Sequence, residues 1–255
     1  MSVITFLSDF GPNSFLTASF RGSLYKAGID WPFLEISSSI EAFDIVEAAY
    51  LSSMVFRDFP EGSVHILAAD VVATSYEGHL AAFHQGHFFI APDNGILPLI
   101  VAPAETDYYL IPTDSFEQRI ENAYVPFLKK LMASNFDLDK IASKTDKINT
   151  KTRLVPVKDE KELRGTVLFV DHFGNAYTNI HRSEFETFTS GKAFEVKLSR
   201  HERIQSLSNN FSEVLDGDAL CFFSDHDYLV VAIKKGNAEQ LLNLRKYKPL
   251  IIEHS

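Results

Sequence analysis

With 34 acidic against 24 basic side chains in 255 residues, the chain carries a formal net charge of −10, which argues against a phosphate-neutralising surface and against nucleic acid as a partner. An apolar fraction of 45% suffices for a core in one large domain or two small ones, and no run approaches the roughly 18 apolar residues needed to span a membrane. The single cysteine, Cys221, excludes an intrachain disulfide and a cysteine zinc cluster, and the opening MSVITFLSDF lacks the basic start of a signal peptide, so a cytoplasmic location is expected.

In chain order, β-rich runs alternate with helical patterns, which predicts an open, mainly parallel sheet covered by helices. Residues 3–7 read as the first strand, 14–27 as a helix and 33–36 as a second strand. Over 44–59 the apolar positions Ile45, Ala48, Ala49, Ser52, Val55, Phe56 and Phe59 follow helical spacing, with Asp44 as N-cap and one face on a sheet. Residues 64–69 read as a buried strand, 80–83 and 87–91 as a hairpin-like pair, and 122–133 as a helix. The charged stretch 144–162 reads as a linker, giving an α/β N-terminal domain over 1–150 and a C-terminal domain over 163–255. In the latter, strands near 166–170, 176–180, 193–198, 218–223 and 228–233, with one short helix after Gly236, predict a small β-barrel or sandwich. Cys221, inside an apolar run, is expected in its core.

Four strands of the first domain end in small polar loops: Ser8-Asp-Phe-Gly11, Ser37 to Ser39, Asp70, and Pro92-Asp-Asn-Gly95. Open α/β sheets bind ligands beyond the carboxyl ends of their strands, so Asp9, Asp70, Asp93 and Asn94 become candidate site residues. Several carboxylates together suit both a vicinal diol and a cation, as a positively charged nucleoside would present. Each motif taken singly also reads as an ordinary turn, because Asp bonds its own backbone and Gly supplies positive φ. Fingerprints for dinucleotide binding, phosphate cradling and acyl transfer are missing. His79, His84 and His87 lie along the hairpin without an obvious supporting partner, and Asp137 and Asp139 lack the glycine of a calcium loop because Ala142 stands there, so no metal is expected.

Taken together, SDFG at 8–11 with Arg21-Gly22, FDIVEAAYL at 43–51, FPEGSVH at 59–65, Asp70, APDNG at 91–95, VDHFGNAYTNI at 170–180, and Ser224 followed by AIKKGNA at 232–238 span nearly the whole chain. In this order they resemble the S-adenosylmethionine hydroxide adenosyltransferases, relatives of the fluorinase and chlorinase enzymes. The resemblance implies a homotrimer with its sites at subunit interfaces, and S-adenosylmethionine as substrate or ligand with no further cofactor. It implies that Asp9 holds the ribose hydroxyls, and that Asp171 and Asn175 grip the methionine part with Phe173 nearby. Ser224 and the strand through Ala232 would lie near the methionine and adenine ends.

The sulfonium is a built-in leaving group, so displacement at C5′ needs an oriented, partly desolvated nucleophile in line with the C–S bond. The hydrolytic members are expected to activate water with an Asp-Arg-His set. Here Asp70 is present, Glu77 stands where the Arg is expected, and Phe116-Glu-Gln-Arg119 offers no histidine. Ser14 and Leu16 also depart from the family's usual Asp and Tyr. Asp70 is therefore the leading catalytic candidate and Arg119 the second. The expected function is cleavage of S-adenosylmethionine, or a related adenosyl compound, to adenosine and methionine. The alternatives are an adenosyl-binding protein without turnover and a purely structural trimer.

Overall fold

The first strand, Ile4–Ser8 (β1), is buried along its entire length, because it lies inside a sheet that helices cover on both faces. The computed structural model describes residues 2–71, 78–112, 119–198 and 202–254, in two compact units that divide between Thr152 and Arg153.

In the first unit β1 is followed by Leu16–Lys26 (α1), Phe33–Ser37 (β2), Ile45–Val55 (α2), Val64–Ala68 (β3) and the hairpin His79–His84 (β4) and His87–Pro92 (β5). Ile96–Ile100 (α3), Tyr108–Ile111 (β6), Ile120–Ala133 (α4) and the two-residue Ser143–Lys144 (β7) complete it. The sheet runs β2-β1-β3-β5-β4-β6-β7, parallel through β5 and antiparallel beyond it. Strand alternation sorts the core into two layers. Ile4, Phe6, Ile66, Ala68 and Ile90 meet Phe20 and Leu24 of α1 and Tyr124, Phe127 and Leu128 of α4. Leu7, Leu67, Ala69, Phe89 and Ala91 meet Ile45, Ala48 and Ala49 of α2 and Ile96, Leu97 and Leu99 of α3.

Asp44 caps α2 as expected, its Oδ1 accepting the Glu47 amide at 3.0 Å, while Glu47 Oε2 accepts the Glu41 amide at 3.2 Å. The helix ends at Val55, and Phe56–Asp58 form a tighter 3-10 turn, so the expected run to residue 59 is two elements. Nor is α2 buried along one face only: it packs on α3 as well as on the sheet, and Tyr50, Ser52 and Met54 are buried along with Ala48 and Ala49.

The second unit comprises Val157–Lys158 (β8), Glu162–Val170 (β9), Ala176–His181 (β10), Arg182–Thr189 (α5), Phe194–Lys197 (β11) and Arg203–Ile204 (β12). Ala219–Phe223 (β13), Tyr228–Ile233 (β14), Ala238–Leu241 (α6) and Pro249–His254 (β15) follow. Its antiparallel sheet runs β12-β11-β15-β9-β10-β14-β13, with β8 beside β9. Just past β12, Leu207 bridges Cys221 of β13, so the two ends of this order meet and the sheet is a nearly closed barrel. Val167, Ala176, Ile180, Val196, Val231 and Ile252 fill it together with Phe185 and Phe188 of α5. Cys221 lies fully buried in this core, and burial pushes its thiol up to about 12. The fold is thus the expected α/β unit with a mainly parallel sheet, followed by a β-barrel unit.

Candidate functional site

Because β2, β1, β3 and β5 run parallel, their carboxyl ends lie along one edge and bring four polar loops to the same side of the first unit. Asp9, directly after β1, ties two of the neighbouring loops together. Its Oδ2 accepts the backbone amide of Phe43 at 2.8 Å and that of Asp70 at 3.0 Å. Both donors have left-handed backbones, φ 70° at Phe43 and 53° at Asp70, a conformation that disfavours L side chains and here is held by the carboxylate. The loop after β1 also reaches β2's loop, with the Gly11 amide donating to Ser38 O at 2.8 Å.

Asn94, buried in the turn after β5, donates from Nδ2 to Ala69 O at 3.0 Å and to Asp70 O at 3.4 Å, and accepts the Ile96 amide at Oδ1. This stitches the Pro92-Asp-Asn-Gly95 turn to the loop after β3. Asp93 is gripped by Asn149, whose backbone amide donates to Oδ1 at 2.8 Å and whose Nδ2 donates to Asp93 O at 2.7 Å. Asp9, Asp70, Asp93 and Asn94, four of the residues singled out from the sequence, thus lie together at the carboxyl ends of these strands.

Burial raises the Asp70 carboxyl above its ordinary value, the neighbouring charge of Asp9 raises it further, and Lys151 pulls it back. Asp93 is also raised by burial, against the hydrogen bonds from Asn149. Among the described residues, the carboxylates Asp9, Asp70 and Asp93 make this edge electronegative, which favours a cationic ligand.

Arg119 lies at the start of α4. Its guanidinium donates to Glu121 Oε1 at 3.0 Å and to Ser19 Oγ of α1 at 3.1 Å, which ties it to the packing of α1 on α4. Glu77 and Phe116 to Gln118 fall outside the described residues.

The remaining candidates belong to the second unit. Asp171 Oδ1 accepts the amides of Phe173 and Asn175, both at 2.9 Å, and Oδ2 accepts Asn175 Nδ2 at 2.8 Å. This carboxylate therefore organises its own turn. The Phe173 ring stands 73% exposed at the tip. Gly174, at φ 84°, is required there because a Cβ would fall 2.3 Å from Asn237 Cγ. Ser224 closes the β13–β14 hairpin, its Oγ accepting the Tyr228 amide at 3.3 Å, and Ala232 is fully buried in β14 opposite Leu220. Tyr177 in β10 connects these features: burial raises its phenol first, and then the charges of Asp171, which its hydroxyl bonds, and Asp225.

The histidines have other roles. His79 Nδ1 sits 3.0 Å from the Tyr124 hydroxyl, while Thr5 Oγ1, His65 and His87 form a buried chain with contacts of 2.8 and 3.1 Å. Among the described residues, no group of three or more His, Cys, Asp or Glu could hold a metal ion. Asp137 Oδ1 accepts the Asp139 amide and caps the short 3-10 turn Leu138–Lys140.

Sequence reasoning gave no site role to Phe43, Asn149, Lys151 or Tyr177. Phe43 opens the motif FDIVEAAYL, and Tyr177 lies within VDHFGNAYTNI. Asn149 and Lys151 fall in no such motif, since they sit in an aperiodic charged stretch and reach the site only through tertiary contact.

Two family models match this chain: the SAM hydroxide adenosyltransferase N-terminal domain over residues 4–127 and the C-terminal domain of the same family over 165–251. An (R)-S-adenosyl-L-methionine hydrolase of Methanocaldococcus jannaschii is 24% identical, covering 96% of this chain and 93% of the relative. A fluorinase of Actinopolyspora mzabensis is 25% identical, covering 96% of this chain and 94% of its own length. In three dimensions, a conserved uncharacterised protein of Thermotoga maritima superposes with a TM-score of 0.85 at 22% identity, covering 99% of this chain and 100% of that one, a likeness of fold.

Proposed function

The chain belongs to the SAM hydroxide adenosyltransferase family, and from that premise we propose that it binds S-adenosylmethionine and hydrolyses it at C5′ to adenosine and methionine. The observation that carries this reading is the carboxylate edge of the first unit, where Asp9 bridges the Phe43 and Asp70 loops and Asn94 anchors the Asp70 backbone. The relative named for S-adenosylmethionine hydrolysis supports the same substrate and the same reaction class.

In this reading Asp9 Oδ1 receives the ribose hydroxyls while Oδ2 keeps its two backbone donors. The negative edge favours the sulfonium cation over the neutral thioether product, so binding weakens as the reaction proceeds. A water oxygen forms the new bond to C5′ as the C5′–S bond breaks, and the bonding pair goes to sulfur and neutralises it. The water's proton passes to Asp70, whose raised pKa makes it a better base than an ordinary surface carboxylate. The chain assembles as a homotrimer, and a neighbouring copy supplies the Asp171 turn, with Phe173, Asn175, Ser224 and the Ala232 strand, to the methionine and adenine ends.

Incubation with S-adenosylmethionine, followed by chromatography of adenosine and methionine, tests this. Protein-dependent product that Asp70→Ala abolishes is the expected result. Glu77 in place of Arg and the lack of a histidine favour a second reading, an adenosyl-binding protein without turnover. Calorimetric binding without product would establish that reading, and no binding would leave a structural trimer.

A further inference from the structure

Asn149 belongs to no helix or strand and is exposed, yet hydrogen bonds seat it on Asp93, 56 residues earlier in the turn after β5. Its backbone amide donates to Asp93 Oδ1 at 2.8 Å, while its Nδ2 donates to Asp93 O at 2.7 Å and to Oδ2 at 3.3 Å. Thr150 and Lys151 lie against the same turn, since a Cβ on Gly95 would fall 3.3 Å from Thr150 C and 2.6 Å from Lys151 Cγ. At φ 96°, Gly95 is both the residue its own backbone requires and the one that lets this segment close.

The bond to Asp93 O reaches furthest into the site. The Asp93 amide donates to Gly78 O at 3.0 Å, so the peptides on both sides of Asp93 are held, one by the residue before β4 and the other by Asn149. Because a peptide is planar, fixing the Asp93 carbonyl fixes the orientation of the Asn94 nitrogen and narrows the direction in which the Asn94 side chain leaves the turn. Asn94 is buried and uses both ends of its amide. Its Nδ2 donates to Ala69 O at 3.0 Å and to Asp70 O at 3.4 Å, and its Oδ1 accepts the Ile96 amide at 3.2 Å. Asp70 stands at φ 53° with its own amide bonded to Asp9 Oδ2 at 3.0 Å. The peptides on either side of Asp70 are thus held from two loops, and the one held by Asn94 is tied through Asp93 to Asn149.

We propose that Asn149 is a positioning residue of the site: its side-chain amide locks the Asp93–Asn94 peptide and, through Asn94, sets the Asp70 backbone from which the catalytic carboxylate projects. The catalytic consequence rests on the hydrolytic reading above, whereas the lock is a property of this unit and is measurable without turnover. Asn149 touches no reacting atom. Its backbone amide survives any of the substitutions below, so they isolate the side-chain donor, an N–H two bonds beyond Cβ. Aspartate keeps the shape but sets a carboxylate against the Asp93 oxygens in place of the donor. Histidine carries Nδ1 at the same two-bond distance and can donate from it.

The test compares the full chain with Asn149→Ala, Asn149→Asp and Asn149→His. Without ligand, hydrogen exchange at the Ile96 amide reports the seating of Asn94, and exchange at Ile66, inside β3 between β1 and β5, is the control. Ile96 exchange should be several-fold faster with alanine and aspartate and close to wild type with histidine, while Ile66 stays unchanged in all three. With S-adenosylmethionine, kcat should fall on the order of 10-fold with alanine and aspartate, KM staying within about 2-fold, the scale of a displacement below 1 Å. Histidine should restore most of that loss. Ile96 exchange unmoved in both the alanine and the aspartate variants overturns the proposal, as does faster exchange with wild-type kcat. Faster exchange in these variants of a protein whose wild type forms no adenosine upholds the lock and defeats the hydrolytic reading instead.

Discussion

Replacing Asp9 by alanine should destabilise the first unit before any ligand is considered. The side chain accepts two backbone amides, from Phe43 at 2.8 Å and Asp70 at 3.0 Å. A hydrogen bond to a charged group contributes about 1.5–3 kcal/mol when desolvated and less at an exposed site, so the pair is worth roughly 2–3 kcal/mol here. Part of that is recovered on mutation, because Phe43 and Asp70, at φ 70° and 53°, can leave the left-handed region once released. A net loss of about 1–2 kcal/mol remains, which corresponds to a drop of roughly 0.5–1 M in the urea midpoint at ordinary slopes. Asp9→Asn keeps a carbonyl oxygen able to accept both amides as neutral bonds, and should lose about half as much. Urea titration of the three proteins by circular dichroism, with S-adenosylmethionine affinity measured calorimetrically in parallel, supplies the comparison. An Asp9→Ala protein unfolding at the wild-type midpoint would refute the bridging role, as would an asparagine variant no better than alanine.

The buried histidines set a pH dependence. Burial, followed by the His87 charge, lowers His65 to about 3, and burial lowers His79 to about 4. The folded form binds fewer protons than the unfolded chain below the ordinary value near 6.5, so their contribution is complete above that pH and is lost as pH falls toward 4. Each histidine should contribute a slope of about 1.4 kcal/mol per pH unit between roughly pH 6 and 4.5, which urea titrations at pH 7, 6 and 5 would resolve; a flat profile would contradict their neutral burial. Gly174→Ala meets both a left-handed backbone and Asn237 Cγ at 2.3 Å, whereas Gly217→Ala, at φ 94°, meets nothing within 4 Å. Thermal scans should therefore show about 1 kcal/mol lost at Gly217 and clearly more at Gly174, and equal losses would dismiss the close approach of Asn237. Light scattering at micromolar concentration should give three times the chain mass of 28.7 kDa, and a monomer would remove the shared site.

Much of the architecture could be read in advance where residue types mark it locally. The apolar spacing of α2, the Asp44 cap, the β4–β5 hairpin and the short β-rich runs of β1, β3, β13 and β14 all announce themselves in the sequence. Elements with neither a period nor a β-rich run could not. The short helix Ile96–Ile100 is buried at every position and contains Pro98, so it shows no polar face. β6, only four residues long, leaves equally little pattern. The helix Arg182–Thr189 opens on a capping box in which His181, an unusual cap, accepts from Ser183 N and Glu184 reaches back to the His181 amide. β15 gains its meaning from partners far away, β9 and β11, between which it completes the barrel order.

The site divides in the same way. Small polar loops after successive parallel strands mark Asp9, Asp70, Asp93 and Asn94 from sequence, because chain direction alone carries parallel strand ends to one edge. The family pattern likewise singles out the Asp171 turn, whose local bonds lie within five residues. What only the tertiary structure decided is how these carboxylates are governed. Asn149 reaches Asp93 across 56 residues, and Lys151 closes over Gly95 because that position has no Cβ. Such contacts depend on the free space left by a distant residue and on the charge that enters it, and neither has a period or spacing for a linear reading to detect.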